Sequence, residues 1–231
     1  MPVAGEIHRS LKSIEEEYDH LFTVGTIRDE DRGYEFFARL IQRECPSAKT
    51  LLDVACGGGY FLRAAEKILG PQISLTGIDL SSKALERAHK ECPSAKLFHS
   101  SGEMLPFSSE RFDVITCWGS MEHFTDIPKS IQEMKRVAGK NARVFILVPN
   151  MFWYKDILAV LFTGNRKTRN QTHERFASLG EWQEILTSSG LKVLKTLKYN
   201  GIAKYPLKQQ IKDWVIPVRF SYHLLFVCSA E

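Results

Sequence analysis

The chain has 231 residues, 44% of them hydrophobic and 25% charged, with a formal net charge of +4. This composition fits one large globular domain, or one domain with a small cap, and excludes a disordered, collagen-like or coiled-coil chain. Cysteines 45, 56, 92, 117 and 228 form no C-x-x-C pair. That argues against a disulfide framework or a zinc site and for a reducing, cytoplasmic setting; no metal is expected. Residues 1–12 lack the apolar core of a signal peptide, and no apolar run approaches the ~20 residues of a membrane-spanning helix. Beyond residue 150 there are 12 Lys/Arg against 6 Asp/Glu. Such a bias is compatible with an anionic substrate, a membrane surface or RNA. Lys192, Lys195 and Lys198 are scattered rather than massed, so a solvated face is the preferred reading.

Ile7, Leu11, Ile14, Tyr18 and Leu21 recur at helical spacing, and residues 29–44 form a second amphipathic helix that stops before Pro46. Strands and helices then alternate. Strands are predicted at 50–55, 73–78, 97–99, 114–118, 143–148, 191–197 and 224–228. Helices are predicted at 60–69, from Ser81 or Ser82 to 89, at 127–137 and at 181–189. Alternation of this kind predicts an α/β Rossmann-like fold: a mainly parallel seven-stranded sheet with helices on both faces and an N-terminal helical cap. Ligands of such sheets bind at the carboxyl ends of the strands, where strand order reverses. The hexapeptide Glu-Cys-Pro-Ser-Ala-Lys occurs at 44–49 and again at 91–96, each copy leading from a helix into a strand. These read as two similar connectors.

The chemistry-bearing signal is Leu51-Leu-Asp-Val-Ala-Cys-Gly-Gly-Gly59, an apolar strand running into a glycine cluster and then a helix. Glycines let the chain turn tightly and a ligand approach the backbone. Free N–H groups of the loop and the helix start can hold a carboxylate or phosphate. Asp79, 20 residues after Gly59 at the end of the second strand, is placed to accept hydrogen bonds from two ribose hydroxyls. Read in the frame of a nicotinamide fingerprint, Leu62 or Tyr60 falls where the last small residue belongs. Asp53 beside the loop would repel a pyrophosphate but favour a ligand with a cationic amino group and a sulfonium. S-adenosyl-L-methionine (SAM) carries both.

With these residues in view, the sequence resembles the class I SAM-dependent methyltransferases, in particular the group that includes ubiquinone and menaquinone biosynthesis methyltransferases. The loop is close to the family pattern L-D-x-G-C-G-x-G, with Ala55 in place of its first glycine. Gly77-Ile-Asp-Leu-Ser81 resembles the second motif, and Glu103-Met-Leu-Pro-Phe107 with Phe112-Asp113 the stretch before the fourth strand. Trp118–His123 resembles the segment after that strand, and Arg143–Asn150 the fifth strand with its Val-Pro-Asn end. The resemblance implies a SAM-dependent methyltransferase and a cofactor site built from Asp53, Ala55, Cys56, Gly57, Gly59, Asp79, Leu80, Ser101, Gly102, Glu103 and Trp118. Ser101 stands where many members have an adenine-binding Asp, so Gly102 and Glu103 would frame the adenine through backbone groups. The implied organisation is residues 1–48 capping the active site, 49–150 the SAM-binding core, 151–175 a lid or insertion, and 176–231 completing the sheet.

His123 is the candidate general base, although a loop-shaping role is preferred for it; His173 receives no role. Residues 151–162 (MFWYKDILAVLF) read as a lid over an apolar substrate or a helix packed on the core, in preference to a membrane-interface helix. The expected acceptor is a small molecule, apolar or anionic. An RNA methyltransferase is the runner-up, weakened because Trp118-Gly-Ser-Met121 stands where amino-methylating enzymes place an acid or Asn before Pro-Pro-aromatic. A non-catalytic SAM-binding partner subunit is a further alternative.

Overall fold

The computed structural model describes residues 11–24, 33–165, 175–200 and 215–230. Two helices, α1 (Leu11–Val24) and α2 (Tyr34–Glu44), precede strand β1 (Thr50–Val54). Then follow α3 (Tyr60–Leu69), β2 (Ser74–Asp79), α4 (Ser82–Glu91), β3 (Lys96–His99), β4 (Phe112–Trp118), α5 (Ile127–Val137), β5 (Ala138–Pro149), α6 (Tyr154–Thr163), α7 (Leu179–Ser188), β6 (Lys192–Tyr199) and β7 (His223–Ser229). All seven strands form one sheet in the order β3-β2-β1-β4-β5-β7-β6. β1 to β5 run parallel, and β7 is antiparallel to both of its neighbours. The α/β Rossmann-like sheet expected from the alternation is therefore present, and its order reverses between β1 and β4.

Two apolar layers cover the sheet, and the period of two along the strands sorts residues between them. On β5, Val144, Ile146 and Val148 join Ile131, Met134 and Trp182 of α5 and α7 on one face. Phe145 and Leu147 join Phe37, Ile41, Phe61 and Leu62 of α2 and α3 on the other. Leu51 lies on the α2/α3 face and Leu52 on the opposite one, so alternation places Asp53 on the α2/α3 side.

Local signals explain most element ends. Ser81 caps α4 by accepting from the Ala84 N–H, and Asp126 caps α5 by accepting from Lys129. Ser178 and Glu181 form a capping box on α7. The two hexapeptide copies adopt the same turn. Cys45 and Cys92 are the C-caps of α2 and α4, and their carbonyls accept from the N–H of Ala48 and Ala95, each at 3.1 Å.

One expectation is corrected. β5 starts at Ala138, five residues before the predicted strand, because Arg111 N–H donates to Val137 O and Ala138 pairs with Phe112 across a bulge; a tertiary pairing extends what local sequence reads as a turn. In residues 151–162 the contact with the rest of the fold is confined to the start of the segment, where Trp153 is half-buried with its ring 4.7 Å from that of Tyr222. Within α6 only Asp156 is buried, while Leu161 and Phe162 are 72% and 83% exposed. His173 lies outside the described residues.

Candidate functional site

The glycine loop turns at the carboxyl end of β1. Ala55 and Gly57 take positive φ of 59° and 52°, and Gly59, the residue before α3, takes 80°. A left-handed backbone favours glycine, so Ala55 tolerates strain at the position where the family pattern has one. The loop's N–H groups are less available than the sequence implied. Cys56 donates to Ile78 O at 2.8 Å, Gly59 to Cys56 O at 3.1 Å, and Gly57 to the Asp79 carboxylate at 2.8 Å. For these three the expectation of free donors is corrected. The loop is held to β2 through them.

Asp79 is the hub of that attachment. Its Oδ2 accepts from Gly57 and its Oδ1 from Ser81 N–H at 2.8 Å. It is 9% exposed. Burial pushes its carboxyl up to about 6, against the opposing pull of the Ser81, Gly57 and Leu80 N–H groups. Asp53 is deeper, at 2% exposure. Thr116, its register partner on β4, donates a hydroxyl to it at 2.6 Å. Burial raises its carboxyl to about 8; the Thr116 bond opposes that shift and the nearby Asp79 adds to it. The charged carboxylate read from sequence is thus largely a neutral acid at pH 7 without a cation beside it. Among the described residues neither carboxyl forms a salt bridge. Two adjacent buried acids without a fixed counter-charge suit a ligand that brings a cation and hydroxyl donors. By its donor set, the site fits SAM.

The other site residues of the sequence reading divide by what occupies them. The Leu80 carbonyl is 2.7 Å from the His99 imidazole. The Glu103 carboxylate accepts from the Thr125 hydroxyl, Asp126 N–H and the Ser101 hydroxyl, which ties the loop before β4 to the start of α5. A Cβ at Gly102 would come within 2.9 Å of the Phe124 ring, and one at Gly59 within 2.7 Å of Ala88 Cα on α4. Both glycines are required for close packing. At Gly59 the packing against α4 is a requirement that the glycine run by itself does not reveal. Cys56 is buried, its thiol is raised well above the usual range by that burial, and its sulfur lies 2.8 Å from where a Cβ on Gly77 would sit. Trp118, at the end of β4, stacks on Phe37 with ring centroids 4.2 Å apart and meets the edge of Phe61. Its buried Nε1 has no hydrogen-bond partner among the described residues. His123 sits in the short helical turn Met121–His123, partly exposed, with the Tyr18 ring edge-on at 6.4 Å.

The sequence reading gave residues 1–48 as a cap but named none of the contacts that α1 makes here. Asp19 of α1 accepts from the Ser81 hydroxyl at 2.5 Å, the Ser82 hydroxyl at 3.1 Å and Lys83 N–H at 3.2 Å. Burial opposes ionisation of Asp19, but those donors hold its carboxyl below the usual range. Glu15 pairs with His99 at 3.1 Å, and the Phe22 ring lies 3.6 Å from where a Cβ on Gly57 would stand. With Tyr18 on His123, α1 touches the carboxyl ends of β1, β2 and β3 and the turn after β4. Its sequence gives only amphipathic spacing. An Asp among many polar residues carries no local sign of its partner.

A family described as a methyltransferase domain matches residues 28–196. The chain belongs to that family. It is 28% identical over 177 residues, 74% of its length, to a Bacillus subtilis protein named as an uncharacterized methyltransferase, YcgJ, and spans 66% of that relative. It is 27% identical over 165 residues to a Staphylococcus aureus demethylmenaquinone methyltransferase, covering 68% of this chain and 67% of that protein. Among solved structures, a chain of the complex between the Haloferax volcanii Trm112 methyltransferase activator and a methyltransferase superposes with a TM-score of 0.69. That match covers 93% of this chain and 97% of that one at 18% identity, a likeness of fold. The loop after β1, the acid at the end of β2 and the segment after β4 therefore lie in a SAM-dependent methyltransferase domain, and SAM is its cofactor.

Proposed function

We propose that this domain transfers a methyl group from SAM to a small molecule with an apolar body, within a cleft closed by α1. The observation that carries this reading is α1 itself. It crosses the carboxyl edge of the sheet from His99 to Ser81, to Gly57 and to His123. A polymer such as RNA needs an open, basic track, whereas here the edge is roofed and the wall beyond it is the aromatic set Phe37, Trp118 and Tyr199.

In this assignment Asp79 takes the ribose hydroxyls and Asp53 the side of the amino group. The turn at Ala55, Cys56 and Gly57 brings backbone close to the cofactor. Leu80, Ser101 and Gly102 frame the adenine through backbone, with Glu103 and Gly59 fixing that frame by their own bonds and packing. Trp118 closes the acceptor side. When bound, SAM supplies a methyl carbon made electrophilic by a sulfonium leaving group. The chain's remaining work is to hold the acceptor in line and exclude water, which can lower a barrier by roughly 7–11 kcal/mol. His123 shapes the turn against Tyr18. A general-base role would require His123→Ala to lower kcat by about 10²-fold or more; we expect a change of less than tenfold.

Incubating the protein with methyl-labelled SAM and fractionated cell extract tests the acceptor class. The label is expected in the organic-extractable, low-mass fraction, and label entering bulk RNA would reject this reading. A second reading, a SAM-binding subunit without turnover, draws on the strained Ala55 in the loop. SAM binding with no methyl transfer to any fraction would favour it.

A further inference from the structure

We propose that α6 is an interfacial helix that docks the protein on an anionic lipid surface. The argument starts from which side chains the fold leaves in water. Leu158 and Val160 are 46% and 47% exposed, and Leu161 and Phe162 at the end of the helix more so, while Phe152 ahead of it is 46% exposed. Scattered exposed apolar residues are ordinary, but five within eleven positions of one segment form a patch. A lid folded onto the core would bury these side chains. Here the one buried residue of α6 is its acid, Asp156.

The residues around the patch name the occupant. The helix opens on Trp153 and Tyr154, with the Lys155 ammonium 5.5 Å and 5.8 Å from their ring centroids. Aromatic rings with an apolar body and a polar edge, beside a lysine whose stem covers apolar surface, suit the headgroup level of a bilayer. In sequence, Arg166, Lys167 and Arg169 follow the helix, and Asp156 is the sole acid from 151 to 173. With Asp156 buried and Lys155 exposed, the charge that α6 itself shows to a partner is positive, which favours anionic lipid over a neutral apolar protein face. The 10-residue length of α6 is too short to span a bilayer and suits one that lies on it.

Position links docking to the site. α6 follows the carboxyl end of β5 through Asn150, whose amide donates to Arg219 O and Ser221 O and whose Oδ1 accepts from Phe152 N–H. The patch therefore leaves the same edge of the sheet as the loop after β1 and the segment after β4. Docked there, the protein would present its acceptor side to the lipid.

Co-sedimentation of the full chain with phosphatidylcholine vesicles, and with vesicles also containing phosphatidylglycerol, tests this. Binding to the anionic vesicles is expected to exceed that to neutral ones by about tenfold at low salt and to fall as salt is raised. The double variant Leu161→Glu, Phe162→Glu should lose that binding while keeping SAM affinity in calorimetry, so failure of docking is distinguishable from failure of the cofactor site. Absence of binding by the natural sequence, or equal binding by the variant, overturns the proposal. So does sedimentation of the natural sequence as a dimer that the variant converts to a monomer, which would make the patch an interface between two copies.

Discussion

At Ala55 the backbone holds a φ of 59°, a left-handed geometry that costs an L-residue with a Cβ about 1 kcal/mol. Ala55→Gly should relieve it and raise Tm by roughly 2–4 °C in a chain of this size, measured by calorimetry. Asp79 joins the loop after β1 to the start of α4 by accepting from two N–H donors, Gly57 and Ser81. Asp79→Asn should weaken SAM binding by at least about tenfold, or ~1.4 kcal/mol, in titration calorimetry; an unchanged Kd would remove the ribose assignment. The raised carboxyls give a pH dependence of definite sign. In the unfolded chain both acids ionise near 3.8, whereas in the folded chain Asp79 ionises at about 6 and Asp53 at about 8. Between those values the folded state holds the extra protons, so stability of the ligand-free protein falls as pH rises through this window and levels above it. Asp53→Asn should flatten the decline of Tm between about pH 6 and 8. A cation placed beside Asp53 reverses the preference. SAM binding at pH 7 should then release protons, seen as a buffer-dependent heat that Asp53→Asn abolishes.

Among the elements, those whose cues lie within a few residues were legible from sequence. The ends of α3 and α5 match the predicted 60–69 and 127–137, because Gly70 stops one and Asp126 with a proline in the first turn starts the other. β5 was read too short, since its first residues are strand only by virtue of pairing with Phe112. The glycine after the loop shows the same limit. A glycine run signals a turn, but that Gly59 lets α3 approach α4 requires knowing where Ala88 lies. Gly59→Ala would set a Cβ 2.7 Å from Ala88 Cα at a φ of 80°. A loss of about 2–3 kcal/mol, or roughly 5–10 °C in Tm, is expected from thermal unfolding.

At the scale of the whole molecule, a helix that precedes the sheet reaches across to its carboxyl edge. α1 reaches α4 through Asp19, 62 residues from Ser81 in sequence. Asp19→Ala should leave the core transition within about 2 °C, since α1 buries no residue of its own. It should raise the SAM dissociation rate several-fold in stopped-flow displacement, because the roof is less firmly held. An unchanged rate would show that α1 does not gate the cleft. The order of scales matters here. On the proposed function, a change at α1 is expected to alter access and a change at Asp79 to alter affinity.

By itself the sequence determined the alternation of strands and helices, the turn after β1, and the acid that follows it by twenty residues. Each of those is encoded in periodicity and in residues with restricted backbone or charge preferences, which act over a few positions. Only the tertiary structure decided that Asp53 lies beside Asp79 and is held neutral by burial. It alone decided that Gly59 and Gly102 sit in close packing, which residues at the edge of the sheet α1 touches, and that the apolar side chains of α6 are left exposed. Burial, dielectric and proximity belong to residues far apart in the chain, and no local pattern carries them.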